Sequence, residues 1–273
     1  MTAAAAPTGP EARLLTGRRA LVTGGGSGIG AAIARAMADA GAIVRTADAD
    51  PATGSDLVVD VSDDAAVTAM FETLDADLGG LDILVNNVGI AGPTGPVEQL
   101  DPGEFDRCVE VNVGGTFRCT RAAVPRLREG GGTIVNLSST AGHWGYPLRS
   151  PYAASKWAIE GLTATWAMEL GRFGVRVNAI APGTVAGPRM DGVIAREAAA
   201  TGAEPAEVKA AYEDTVSMRR FVSADDIAAT AVWLCSDAAR LVNGQVITVD
   251  GNTETHRARW SDDARAPVDI DWD

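Results

Sequence analysis

Short β-branched runs alternate with longer stretches of helical spacing along most of the chain. Arg19–Val22, Ile43–Thr46, Asp56–Val61, Leu81–Val85, Thr133–Leu137, Val175–Ile180 and Gln245–Val249 read as strands of four to six residues. Between them, Ala31–Ala40, Ala65–Leu78, Phe105–Arg128, Pro151–Arg172 and Ala224–Cys235 carry helical periodicity. In the second of these, Val67, Met70, Phe71, Leu74 and Leu78 form one apolar stripe. Strands this short and apolar, separated by helices, are buried on both faces. The pattern therefore predicts an α/β, single-domain, doubly wound parallel sheet flanked by helices on both faces, with right-handed crossovers.

Two regions break the alternation. Residues 186–222 form an insertion with helical cores at Met190–Ala200 and Glu207–Asp214, expected to act as a substrate lid. Residues 252–273 hold six acids, three arginines, Trp260 and Trp272 without a clear period, and read as an acidic tail. With a flexible leader at 1–14, the expected folded domain runs over 15–251.

Charge narrows the partners. Across 273 residues, 23 Lys+Arg face 36 Asp+Glu, a formal net charge of −13. Such a balance opposes sequence-independent binding to nucleic acid or an anionic membrane, both of which need clustered cations. It does not oppose a nucleotide held by backbone N–H groups. Cys108, Cys119 and Cys235 are too few and scattered for a disulfide framework, and with only His143 and His256 no metal site is expected. Residues 1–16 lack an apolar targeting core, and no run of 18 apolar residues occurs, so the expected location is cytoplasmic.

Candidate chemistry starts at Thr23-Gly-Gly-Gly-Ser-Gly-Ile-Gly30, which follows a strand and opens a helix. Glycines there let the backbone approach a pyrophosphate, and the helix N-terminus supplies unpaired donors. Asp48 ends the second strand, where a carboxylate accepts from ribose hydroxyls and repels a 2′-phosphate. Tyr152 and Lys156 stand at i and i+4 on a helix and share a face. A neighbouring ammonium favours the phenolate form of a tyrosine, which makes it an acid/base. Ser139 ends a strand 13 residues before Tyr152. Its hydroxyl is suited to orient a carbonyl or an alcohol.

The spacing Gly24-x-x-x-Gly28-x-Gly30, with Asp48, Asp60-Val61, Asn86-Asn87-Val88-Gly89, Asn112, Ser139, Tyr152-x-x-x-Lys156 and Pro182-Gly183 in order, resembles the short-chain dehydrogenase/reductase family in its compact branch. The resemblance covers Leu15 to Gly251. It implies an NAD(H)-dependent oxidoreductase that interconverts a secondary alcohol and a ketone by hydride transfer. The alternatives are a 3-oxoacyl-thioester reductase and a catalytically silent nucleotide-binding scaffold.

By the resemblance, Asn112, Ser139, Tyr152 and Lys156 are the catalytic set, with Asn112 kinking its helix and holding a water linked to the lysine. Gly24, Ser27, Gly28, Ile29, Gly30, Asp48, Asp60, Val61, Asn87, Gly89, Tyr152, Lys156, Pro182, Gly183 and Val185 are the cofactor-binding set. NADP-preferring relatives carry Arg or Lys where Ser27 and Ala49 stand here, so the implied cofactor is NAD. Only 12 residues separate Asp48 from Asp60, so the helix expected between them reduces to a turn around Pro51–Gly54. Gly187 stands where relatives often hold a Thr that bonds the nicotinamide carboxamide.

The substrate walls should be the loop 140–150 and the insertion 186–222. They put His143, Trp144, Tyr146 and Arg189 forward as substrate contacts. The loop aromatics suit an apolar or ring-shaped small molecule, and Arg189 an anionic group. Family relatives pair through the long helices, which implies a homodimer or homotetramer.

Overall fold

The computed structural model describes residues 14–253; the leader and the acidic tail, with Trp260, Trp272 and His256, lie outside the described residues. Seven parallel strands form one open sheet: β1 (Arg19–Thr23), β2 (Ile43–Asp48), β3 (Leu57–Val58), β4 (Ile83–Asn86), β5 (Gly132–Leu137), β6 (Val175–Pro182) and β7 (Val246–Val249). Their spatial order is β3-β2-β1-β4-β5-β6-β7. The order reverses between β1 and β4, which opens a crevice at the carboxyl ends of these two strands.

Helices cover both faces, as the alternation predicts. On one side, α1 (Gly28–Asp39) and α8 (Ala224–Cys235) bury Ile33, Met37, Ile227 and Ala231 against Val22, Val85 and Ile180. On the other, α2 (Asp64–Leu78), α4 (Gly115–Gly130) and α5 (Ser150–Leu170) bury Phe71, Leu74, Leu127 and Trp166 against Leu21, Leu84 and Ile134. Within α5, Ser155, Ile159, Thr163 and Ala167 recur every fourth position on the buried face. In the insertion, α6 (Pro188–Thr201) and α7 (Pro205–Glu213) close a small cluster of their own around Ile194, Ala198 and Val208.

Two elements differ from the pattern. The strand expected over Asp56–Val61 pairs only at Leu57–Val58. Asp56 turns its carboxylate onto the Thr46 N–H (2.8 Å) and hydroxyl (2.9 Å), replacing the ladder at the start. The Val59 N–H still donates to the Asp48 carbonyl (2.9 Å), and past it Asp60 turns the chain by accepting from the Ser62 N–H. The single helix expected over Phe105–Arg128 is α3 (Pro102–Val109), a π turn at Glu110–Gly114, and α4. α3 starts earlier because Asp101 caps it by accepting from the Glu104 N–H, with Pro102 at its first position. The π turn carries Asn112, the position expected to kink this helix. The contraction after β2 is a single 3₁₀ turn, Pro51–Thr53, ended by left-handed Gly54.

Candidate active site and cofactor cleft

The glycine turn lies at the β1/β4 crevice. The Thr23 hydroxyl donates to the Val85 carbonyl (3.2 Å) and accepts from the Asn87 N–H (3.1 Å), while Asn87 Nδ2 donates to the carbonyls of Thr23 and Gly24. Gly24 takes φ +59°, and a Cβ on Gly30 would collide with the Gly24 carbonyl oxygen, so both positions require glycine. Gly28, at φ +52°, faces open space. Ser27 caps α1 without a side-chain hydrogen bond, and no acid occupies the first turn. The first intrahelical bond runs from Ala31 N–H to the Ser27 carbonyl, which leaves the N–H groups of Gly28, Ile29 and Gly30 ahead of it. The Ile29 side chain packs on the core beneath α1 and offers only its backbone outward. This cradle of small residues and donors fits a dinucleotide pyrophosphate.

Asp48 ends β2 beside that turn, accepting from the N–H groups of Gly26 (3.3 Å) and Asp50 (3.1 Å). Arg45 is committed to Asp77 at 2.5 Å, away from the Asp48 carboxylate. Hydrogen bonds from the Ser62 N–H and hydroxyl hold the Asp60 carboxyl below the usual carboxylate range, against weak opposition from burial. Val61 is buried in the core beside Gly115, so any nucleotide contact at this position falls to its backbone.

The four residues expected at the reaction centre sit on elements that meet at the carboxyl end of the sheet. Asn112 is buried; its Oδ1 accepts from the Ile90 N–H (2.7 Å), and its Nδ2 donates to the Ile90 carbonyl (3.1 Å) and Ser155 Oγ (2.9 Å). The side chain thus braces the loop after β4, and its own carbonyl accepts from the Thr116 hydroxyl at 2.8 Å. Lys156 is 5% exposed and donates to the Leu137 carbonyl at 2.7 Å. Its Nζ lies 5.7 Å from the Tyr152 ring centroid. A Cβ on Gly89 would touch both Asn112 Oδ1 (3.4 Å) and Lys156 Nζ (3.5 Å), which places Gly89 against this pair. Ser139 follows β5 and caps the 3₁₀ turn Thr140–Gly142, its Oγ accepting from the Ala141 N–H. That turn packs on α5.

The segment after β6 is strapped on two sides. The Gly183 N–H donates to the Val249 carbonyl, and a side chain there would press on Asp250. Val185 bridges Val222, with Ala186 N–H to the Val222 carbonyl at 2.8 Å, so Pro182, Gly183 and Val185 are held at the rim. Gly187 takes φ +143°, a conformation that a threonine adopts only under strain, and α6 starts directly after it.

The expected substrate contacts separate. Trp144 is half exposed. Tyr146 lies 5.6 Å from the Arg149 guanidinium, which also sits 5.2 Å from the Tyr152 ring and donates to the Ala91 carbonyl. His143 has a partner that its sequence position did not reveal: its Nδ1 is 3.2 Å from Glu160 Oε1 on α5. It therefore faces the helix through that nitrogen. Arg189 lies in the first turn of α6, and its side chain is outside the described residues.

Sequence reasoning missed Glu160, Ser155 and the buried ladder in which Asn86 Nδ2 donates to Asn136 Oδ1 (2.9 Å) and Asn136 Nδ2 to Thr163 Oγ1 (2.9 Å). For Glu160 a signal existed, since it stands four residues after Lys156 on the same helix. The other partnerships join residues far apart in the chain. Among the described residues no helix is long and apolar enough to cross a membrane, and no group of His, Cys, Asp and Glu gathers to hold a metal.

A family model described as enoyl-(acyl carrier protein) reductase matches residues 24–252. Levodione reductase of Leifsonia aquatica is 35% identical over 92% of this chain and 98% of that protein. Cis-4-hydroxycyclohexanecarboxylate dehydrogenase of Sinomonas cyclohexanicum is 35% identical over 86% and 95%. The crystal structure of an NAD+-bound xylitol dehydrogenase superposes with a TM-score of 0.81 at 29% identity, covering 87% of this chain and 99% of that one. With the glycine turn, the motifs in sequence and this agreement along most of its length, the chain belongs to the short-chain dehydrogenase/reductase family and is an oxidoreductase acting on CH–OH groups.

Proposed function

We propose that the protein is an NAD(H)-dependent enzyme that interconverts a secondary alcohol and a ketone, with Tyr152 as the acid/base. The observation that carries this reading is the meeting of Lys156, Tyr152 and the Ser139 turn at the carboxyl end of the sheet, beside the glycine turn. When bound, the nicotinamide cofactor supplies or accepts the hydride. Tyr152 Oη gives its proton to the ketone oxygen in reduction and takes it back in oxidation. Ser139 Oγ donates to the same oxygen as negative charge develops on it. Lys156, held at the Leu137 carbonyl with its Nζ 5.7 Å from the Tyr152 ring centroid, fixes the face on which the phenol meets the substrate. Asn112 fixes the loop that forms the adjoining wall.

NAD(H) is favoured over NADP(H) by Asp48 at the end of β2, with neutral Ser27 and Ala49 alongside and Arg45 drawn off to Asp77. A 2′-phosphate there would meet a carboxylate and no free cation among the described side chains. The substrate is an apolar or ring-shaped small molecule received between Trp144, Tyr146 and the α6–α7 insertion. Arg189, at the start of α6, is the residue we assign to an anionic substituent. The relatives named for levodione and for a hydroxycyclohexanecarboxylate support a ring. Exposed Phe117 on α4 and Trp157 and Met168 on α5 support a homodimer or homotetramer. Three free, buried cysteines suit a reducing cytoplasm.

The reading is tested by titrating NADH and NADPH into the protein and by turnover of Tyr152→Phe over a panel of cyclic alcohols, hydroxy acids and sugars. NADH binds at least about tenfold more tightly if Asp48 acts as described, a difference of about 1.4 kcal/mol. Equal affinities remove that role. The Phe variant binds NADH and turns nothing over; retained turnover removes the acid/base assignment.

A further inference from the structure

We infer that Glu160 is a positioning residue of this reaction. It clasps both ends of the turn that carries Ser139 onto α5, the helix that carries Tyr152 and Lys156. The inference rests on the reading of Ser139 given above.

The turn from Ser138 to His143 is gripped at its two ends by one carboxylate oxygen. Ser138 Oγ donates to Glu160 Oε1 at 2.8 Å, and His143 Nδ1 lies 3.2 Å from the same oxygen. The Lys156 carbonyl, at 3.3 Å from Ser138 Oγ, is the more distant acceptor, so the single hydroxyl proton goes to Glu160. The Ser138 N–H is held independently by the Ile180 carbonyl of β6 at 2.7 Å. Between these ends the backbone closes tightly, with Gly142 N–H on the Ser139 carbonyl at 2.8 Å. Gly142 sits so close to the clasp that any Cβ would strike both Glu160 Oε1 and Ser138 Oγ. The backbone of the turn thus lies directly against the clasp, with glycine required at its closest point.

Burial gives the clasp its strength. The Glu160 side chain is 15% exposed and that of His143 26%, so the carboxylate depends on these protein donors in place of most of its water. Glu160 follows Tyr152 and Lys156 at four-residue steps along one helix face. The residues that grip the turn and those placed at the reaction centre thus share one rigid element. Without the carboxylate, the turn keeps only the longer Ser138 Oγ–Lys156 carbonyl bond (3.3 Å) to that element, and the Lys156–Leu137 bond holds the strand before it; the His143 end has no tie among these. A displacement of about 1 Å of a group that must meet the reacting oxygen costs on the order of 100-fold in rate.

The test is a double-mutant cycle in the full-length protein, read as kcat on the fastest substrate among cyclohexane-1,2-diol, 4-hydroxycyclohexanecarboxylate and xylitol with NAD⁺, and as NADH affinity by fluorescence. Glu160→Ala is expected to lower kcat by about 10- to 100-fold while the NADH Kd changes less than about twofold. Glu160→Gln, whose amide oxygen still accepts from Ser138, recovers most of that loss. In a Ser139→Ala background, Glu160→Ala adds less than about a threefold further loss, because its effect passes through Ser139. If Glu160→Ala does not fold, Ser138→Ala enters the same cycle in its place. An unchanged kcat in Glu160→Ala, or the same fold-loss with and without Ser139, overturns the inference while leaving Ser139 its role. Full activity in Ser139→Ala alone overturns both.

Discussion

The Lys156 ammonium donates to the Leu137 carbonyl at 2.7 Å, so α5 is pinned to the last residue of β5, two positions before Ser139. One side chain thus ties the strand that leads to the Ser139 turn to the helix that carries Tyr152. Lys156→Met is expected to cut kcat by at least about 100-fold, the low end for losing a group that acts on proton transfer. Lys156→Arg, bulkier at a site already against Gly89, recovers little of it. Steady-state kinetics with thermal unfolding of each variant decide this.

Glycines 28 and 30 answer different demands. Gly30→Ala drives a methyl into the Gly24 carbonyl, so NADH binding falls by more than about 100-fold and the turn distorts. Gly28→Ala meets no protein atom and strains the fold only through its positive φ, about 1 kcal/mol, so whatever NADH affinity it loses comes from the methyl standing in the proposed pyrophosphate cradle. Isothermal titration of NADH into both variants separates the two effects.

Arg19 binds Asp82 through its side chain and its backbone N–H, joining the starts of β1 and β4. Burial works to raise the Asp82 carboxyl, but the hydrogen bonds from Arg19 outweigh it and hold the group below the usual carboxylate range. A carboxyl depressed in the folded state stabilises above its unfolded pKa of about 4, and that contribution is lost as pH falls through the folded value. Asp82→Asn therefore lowers stability by about 2 kcal/mol at pH 7, and Tm by roughly 4–8 °C. The gap from wild type closes as the pH is taken below about 4. Calorimetric melts between pH 3 and 7 measure it.

Cys119 and Cys235 are buried, and burial pushes both thiols up to about 12; the Cys108 thiol is raised by the same cause. A thiol reagent at pH 8 should label the folded protein slowly and the three cysteines rapidly in denaturant. Fast labelling of native protein, followed by absorbance, contradicts this packing.

Most of the fold was legible because each strand and helix carries its own period. The ends of β3 were not, since Asp56 takes the Thr46 N–H that the pattern assigns to the ladder, and Asp60 turns the chain away by accepting from the Ser62 N–H. The break within Phe105–Arg128 was foreshadowed only by Asn112, whose partner Ile90 lies on another loop. At the site, Tyr152, Lys156 and the glycine turn announce themselves by spacing along one element. The Glu160–His143 pair depends on how a turn folds back on α5, which spacing does not encode. Gly187 reads as a missing threonine in sequence; in the structure it is a position whose φ disfavours any side chain.

The packing of α1 on α8 also sets a timetable for the newborn chain. Met37 and Ile33 share their cluster with Ile227 and Ala231, and Arg35 reaches Asp225 at 2.6 Å. The glycine turn is made long before α8, the segment that seals the helix behind it. Long-range pairings of this kind form late. A chain cut short before residue 224 thus carries the complete glycine motif on a helix whose α8-facing side is bare, so firm cofactor binding is expected to wait for α8.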